Sequence, residues 1–160
     1  TWPDTVASVG DTITDMTERA DRHERELKYG LRSHVIVRET EAEARAAADR
    51  LISQLDSDTG EAIRQKSLDT ASVGVSRQSA LRDSADDDGY AEANLWTGVG
   101  KARSGAGAAI VGDPDQVAAK LAAYQDVGVE AFILSGYPHI AECDLFAEHV
   151  LPQLDHGKLY

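Results

Sequence analysis

Phe132-Ile-Leu-Ser-Gly-Tyr-Pro-His139 is the segment on which the architecture turns. Three apolar residues run into Ser-Gly-Tyr-Pro-His, and an amphipathic run begins at Ile140. A short, fully apolar run closed by turn residues reads as a buried parallel strand. The turn after such a strand lies at its C-terminal end, where α/β sheets and barrels bind ligands. Tyr137 and His139 are therefore reactive side chains at a place suited to chemistry.

The neighbouring segments repeat the pattern. Residues 108–111 are a very short apolar run. Gly112-Asp113-Pro114-Asp115 then starts a helix, with Asp113 as N-cap and Pro114 at the first helical position. Val117, Leu121 and Tyr124 form its apolar stripe, Gly128 stops it, and the strand 131–134 comes next. A last helix is expected from about Ile140 to Leu151, closed by Pro152. Upstream, residues 31–38 (Leu-Arg-Ser-His-Val-Ile-Val-Arg) read as a strand with Arg32 and His34 on one face. Thr40-Glu-Ala-Glu43 has the form of a capping box, and a helix continues from it through Leu55. An amphipathic helix is expected over 11–27. From 56 to 107 the pattern weakens to helical pieces at 61–68 and 76–81 among polar and glycine-rich sequence. A connection of that length reads as a lid, a binding loop or a disordered insert. If Thr1-Trp2 ends a strand, the chain holds four strand–helix units, half of an eight-unit barrel.

Composition narrows the function. The net charge of −12 argues against nucleic acid, which needs a basic footprint. The acid excess is spread along the chain, as in a salt-adapted or an ordinary acidic protein. No apolar run approaches the roughly 20 residues of a membrane helix. With no basic-then-apolar leader, the expected location is cytoplasmic. Cys143 is the single cysteine, which rules out a disulfide framework, and it reads as a core residue of the last helix. The histidines lack metal-ligand spacing, so no metal site is expected. The chain begins at Thr1 without methionine, as a processed protein or a piece of a longer one would.

Two constellations carry possible chemistry. The glycine-rich run from Gly98 to Gly107 fails the phosphate-loop pattern, because Lys101 is followed by Ala102 and Leu95 stands where glycine is needed. It fails the dinucleotide pattern at Arg103 and at Ile110. It is either a plain flexible loop or a loop that brings the Arg103 guanidinium onto an anion. Arg32 and His34 are either a buried ion pair with one of the many acids beside a histidine, or a substrate-binding arginine beside a titratable group.

These pieces resemble a known family. His34-Val-Ile-Val-Arg-Glu-Thr40, Asn94-Leu-Trp-Thr-Gly-Val-Gly100, Gly105-Ala-Gly107, Val111-Gly-Asp113 and Leu134-Ser-Gly-Tyr-Pro-His139 are similar, in order and spacing, to the C-terminal half of alkanesulfonate monooxygenases. Those are flavin-dependent enzymes of the bacterial-luciferase-like superfamily. The resemblance implies an α/β (β/α)8 TIM barrel, of which residues 1–160 supply about the C-terminal four units, with 56–107 as an inserted mobile loop. It implies FMN, delivered as FMNH2 by a separate NAD(P)H-dependent reductase. The reaction would use O2 to turn an alkanesulfonate into an aldehyde and sulfite. By motif, the site residues are Trp2, Arg32, His34, Arg103 and Tyr137. Arg32 and Arg103 would hold the sulfonate or the flavin, and two guanidiniums suit an anion. His34 and Tyr137 would orient the oxygenated flavin or assist proton transfer. Trp2 would line the substrate, and the glycine-rich segment would close over it. Pro3-Asp4 follows Trp2 where the family tends to have glycine. The implied partner is the missing N-terminal half, or further copies of this chain. Two rivals remain: another luciferase-like oxidoreductase using flavin or deazaflavin, and a non-catalytic half-barrel subunit.

Overall fold

The strand β1 (Gly30–Val37) is the centre of the sheet. Its β-branched and leucine side chains favour a pleated, buried surface. In a computed structural model describing residues 1–56, 58, 60, 62, 72–103 and 105–157, β1 pairs in parallel with two strands. On one side lies β4 (Ala109–Gly112), with His34 opposite Ala109. On the other lies β5 (Ala131–Ser135), with His34 opposite Ser135.

The helices arise from local sequence. The first, α1 (Val6–Asp21), is capped by Thr5, whose hydroxyl accepts from the Ser8 amide. It starts and ends earlier than the 11–27 expected, and Glu24 beyond it takes a left-handed φ of 52°. Next, α2 (Glu41–Ile52) opens with the capping box of Thr40 and Glu43 and stops short of Leu55. Within 56–107, the piece expected at 61–68 lies outside the described residues. The piece expected at 76–81 is the longer α3 (Val73–Asp83), capped by Ser72. That segment also holds two short strands, β2 (Tyr90–Glu92) and β3 (Leu95–Trp96), and a one-turn helix α4 (Val99–Ala102). Past β4, α5 (Pro114–Asp126) carries a second capping box, Asp113 with Gln116. The last helix is α6 (His139–His149), followed by a 3-10 turn at Leu151–Gln153.

Among the described residues the sheet runs β2-β3-β4-β1-β5, mixed parallel and antiparallel. This is the expected α/β class, with strands and helices alternating along most of the chain. Spatial order nevertheless departs from chain order, because β1 lies between β4 and β5. Thr1 joins the same edge of β1 as β4: its carbonyl accepts from the Arg32 amide, two residues before His34 donates to Ala108. Apolar side chains fill both faces. Val9, Ile13, Val117, Leu121 and Tyr124 pack on Leu31, Val35, Val37 and Ile110, while Ala44, Ala47 and Ala48 of α2 pack with Trp96 against Ile36 and Val111. No helix of the described residues is long and apolar enough to cross a membrane.

The α5 box offers a local test. Asp113 accepts from the Gln116 amide, and Gln116 Oε1 accepts from the Asp113 amide. Asp113→Ala should destabilise the chain by about 1 kcal/mol in urea unfolding. An unchanged midpoint would show that the box contributes no net stability.

Candidate active site

The site is assembled where β1 meets the end of β5. The register sets Ser135 opposite His34, and the Ser135 hydroxyl lies 3.0 Å from His34 Nδ1. The chain then turns at Gly136. A Cβ there would sit 2.4 Å from Glu142 Cβ and 3.0 Å from the Val35 carbonyl, so only glycine passes without displacing them. The turn delivers Tyr137, whose ring centroid is 5.3 Å from that of His34 and 4.7 Å from that of His139.

The glycine-rich segment supplies the cation. It is held from two sides: Arg82 Nη1 donates to the Gly100 carbonyl at 2.6 Å, and the Gly100 amide donates to the Gly107 carbonyl at 2.8 Å. Arg103 leaves α4 in extended backbone, and its Nη1 donates to the Tyr137 hydroxyl at 2.8 Å. The phenol oxygen is thus an acceptor toward Arg103, which leaves the phenol proton to be donated elsewhere. Trp2 joins through Gly105. A methyl group at Gly105 would lie 3.7 Å from Trp2 Cζ2 and 3.8 Å from Arg103 Nη2. Arg103, Tyr137 and His34 are therefore in sequence of contact, and Trp2 lies beside them across Gly105.

Arg32 differs. It lies on the exposed part of β1, and among the described residues no carboxylate pairs with it. The reading as a buried ion pair is therefore corrected: Arg32 sits near the open start of the strand, where water solvates it. Cys143 is corrected too, since it is exposed on α6 rather than in the core. Ser135 was missed as a site residue. Its only sequence signal is a hydroxyl ending an apolar run, and its partnership with His34 depends on non-local strand register.

His34 is 2% exposed. Its Nε2 is buried and makes no regular hydrogen bond among the described residues. Burial holds its pKa below the ordinary histidine value, and the positive charges of Arg103 and then Arg32 push the same way. The backbones at Ala106 and Ser135 oppose them without prevailing. The ring is consequently neutral at pH 7, able to accept a proton at one nitrogen. Because its pKa is lower folded than unfolded, the stability it contributes is present above about 6.5, the ordinary value, and is lost as pH falls through the folded pKa. Subtracting the His34→Gln variant should expose this loss: the urea midpoint of the parent falls more steeply between pH 7 and pH 5. Parallel midpoint curves would show that His34 titrates alike in both states.

The fold thus brings a guanidinium, a phenol and an imidazole together in an α/β frame, at the ends of β1 and β5. Comparison with known proteins gives the family. Residues 1–131 match the model of luciferase-like monooxygenases, and the chain belongs to that family. It is 63% identical over 158 residues, 99% of its length, to the sulfoquinovose monooxygenase of Novosphingobium aromaticivorans, and covers 44% of that protein. It is 52% identical over 153 residues, 96% of its length, to the sulfoquinovose monooxygenase of Agrobacterium fabrum, and covers 40% of it. The chain thus spans less than half the length of these relatives.

Proposed function

We propose that the chain is part of a reduced-flavin- and O2-dependent monooxygenase that cleaves the C–S bond of an organosulfonate. The observation that carries this reading is the Arg103–Tyr137–His34 contact set, which offers an anion a guanidinium, a phenol proton and a neutral base together. Balanced, one oxygen atom of O2 enters the carbon product as a carbonyl and the other leaves as water. Sulfur departs as sulfite. The motifs favour an alkanesulfonate. The names of the two relatives favour sulfoquinovose, a sugar sulfonate, and we adopt the sugar sulfonate as the finer reading.

The residues present fit a flavin. The buried His34 Nε2 is a polar atom that a bound ring could satisfy, and the Arg103 guanidinium suits a phosphate or an electron-rich ring. Reduced FMN, supplied by an NAD(P)H-dependent reductase, would bring the oxygen chemistry. The protein's part is to hold the sulfonate through Arg103, orient it against Trp2, and move a proton between Tyr137 and His34. The rest of a relative's length, as the N-terminal half or another copy, would complete the pocket in the cytoplasm.

The test is sulfite release from sulfoquinovose and from octanesulfonate, with FMN, NADH, a flavin reductase and O2. It is run with the chain alone and with the remaining portion of a relative supplied. Sulfite is expected only with both portions, and faster from sulfoquinovose. Absence of sulfite from both substrates, with both portions folded, would overturn the sulfonate reading.

A further inference from the structure

Helix α3 presents one stripe toward the site. Gly74, Gln78 and Arg82 are spaced i, i+4, i+8 and so lie on one face. Each meets a different piece of the site. A Cβ on Gly74 would be 2.9 Å from Trp2 Cζ3, so the missing side chain lets the indole lie against the helix. Arg82 holds the Gly100 carbonyl. Between them, Gln78 makes two hydrogen bonds of opposite polarity. Its Nε2 donates to the Pro3 carbonyl at 2.6 Å, and its Oε1 accepts from the Gly107 amide at 2.9 Å. Pro3 follows Trp2 directly. Gly107 follows Gly105 and Ala106, the backbone between Arg103 and His34.

We propose that Gln78 is a positioning residue. Its amide ties the Trp2-Pro3 segment to the Gly105–Gly107 run and fixes the distance at which Trp2 and Arg103 face the same ligand. Two chain segments 104 residues apart (107 − 3) reach the site from different parts of the sequence, and this one amide bonds to both. A side-chain amide donates to a carbonyl and accepts from an amide through one rigid group. Glutamate keeps the acceptor and loses the donor, and methionine loses both. A displacement of about 1 Å at a reacting centre costs on the order of 100-fold in rate.

The proposal rests on the monooxygenase reading for its kinetic consequence, but two of its readouts do not. Trp96 is buried, so acrylamide-accessible tryptophan emission reports Trp2. The His34 titration, followed by NMR, reports the approach of Arg103 and the Ala106 backbone. In the 160-residue chain, Gln78→Met should raise Trp2 quenching and move the His34 titration away from the parent's. Gln78→Glu should raise Trp2 quenching while leaving His34 close to the parent, because the Gly107 bond survives. With the remaining portion supplied, Gln78→Met should lower kcat/KM about 10- to 100-fold. If Gln78→Met does not fold, Gln78→Glu decides the matter through its split response. Parent-like quenching in both variants, or an identical His34 shift in both, overturns the proposal. If the parent releases no sulfite, the sulfonate reading fails alone, and the quenching and titration still decide the role of Gln78.

Discussion

Arg103→Ala lowers kcat/KM for the sulfonate about 100-fold or more when the enzyme is complete, the cost of removing one preorganised donor from a charge-stabilising site. Two losses combine. The guanidinium no longer fixes the Tyr137 hydroxyl at 2.8 Å, so the phenol proton loses its direction. The site also loses the cation that, after burial, does most to keep His34 neutral. The His34 pKa therefore rises, and the acid limb of the pH–rate profile moves to higher pH. Arg103→Lys separates the two effects. It retains the charge, and so most of the His34 shift, but lacks the planar fork, so kcat/KM stays low. Arg32→Ala makes the contrast: its charge acts on His34 less than that of Arg103, so the acid limb moves less. Unchanged kcat/KM in Arg103→Ala would remove this residue from the site, and an unmoved acid limb would show that it does not act on His34.

That contrast marks what the sequence can and cannot convey. Alternation along β1 places Arg32 and His34 on one face, but not which is covered. Exposure depends on what packs above each position, and only His34 lies beside the end of β5. The parallel strands were legible because runs such as Val35-Ile-Val37 leave little alternative, and the Thr40 capping box and the Asp113 N-cap because their chemistry is local. The strands β2 and β3 were not legible. At three and two residues they are too short for any period, and antiparallel pairing of β2 to β3 and of β3 to β4 stabilises them. Strand order was hidden for the same reason, since pairing is non-local. The site residues came from motifs; the Arg103–Tyr137 hydrogen bond and the approach of Trp2 to Gly105 came from the fold.

The ion pair of Arg38 and Glu142 is the clearest case of a partnership that spacing does not reveal, and it supports the second large effect. The residues are 104 positions apart, yet Arg38 Nη2 donates to Glu142 Oε1 at 2.7 Å and Nη1 to Oε2 at 3.1 Å. The Glu142 side chain is 4% exposed and that of Arg38 25%. Nη1 also donates to the Val37 carbonyl at 2.6 Å, so the guanidinium joins the end of β1 to α6. Glu142→Ala takes away the carboxylate and leaves the cation half-buried without its partner. Breaking a fully buried pair costs about 3–5 kcal/mol, and the partial exposure of Arg38 lowers this to about 2 kcal/mol. Arg38→Met should cost more, because the stranded carboxylate is the more deeply buried partner. The double variant Arg38→Met, Glu142→Leu leaves no charge behind and should recover part of the loss, as hydrophobic replacements of buried pairs often do. Urea midpoints of the four proteins test this order. A double variant no more stable than Arg38→Met would mean that the stranded charge is not the cause. The same substitutions reach the site, since Glu142 lies against Gly136 and α6 begins at His139, which packs on Tyr137. Glu142→Ala should accordingly loosen the turn that presents Tyr137 to Arg103, and lower kcat before the chain unfolds.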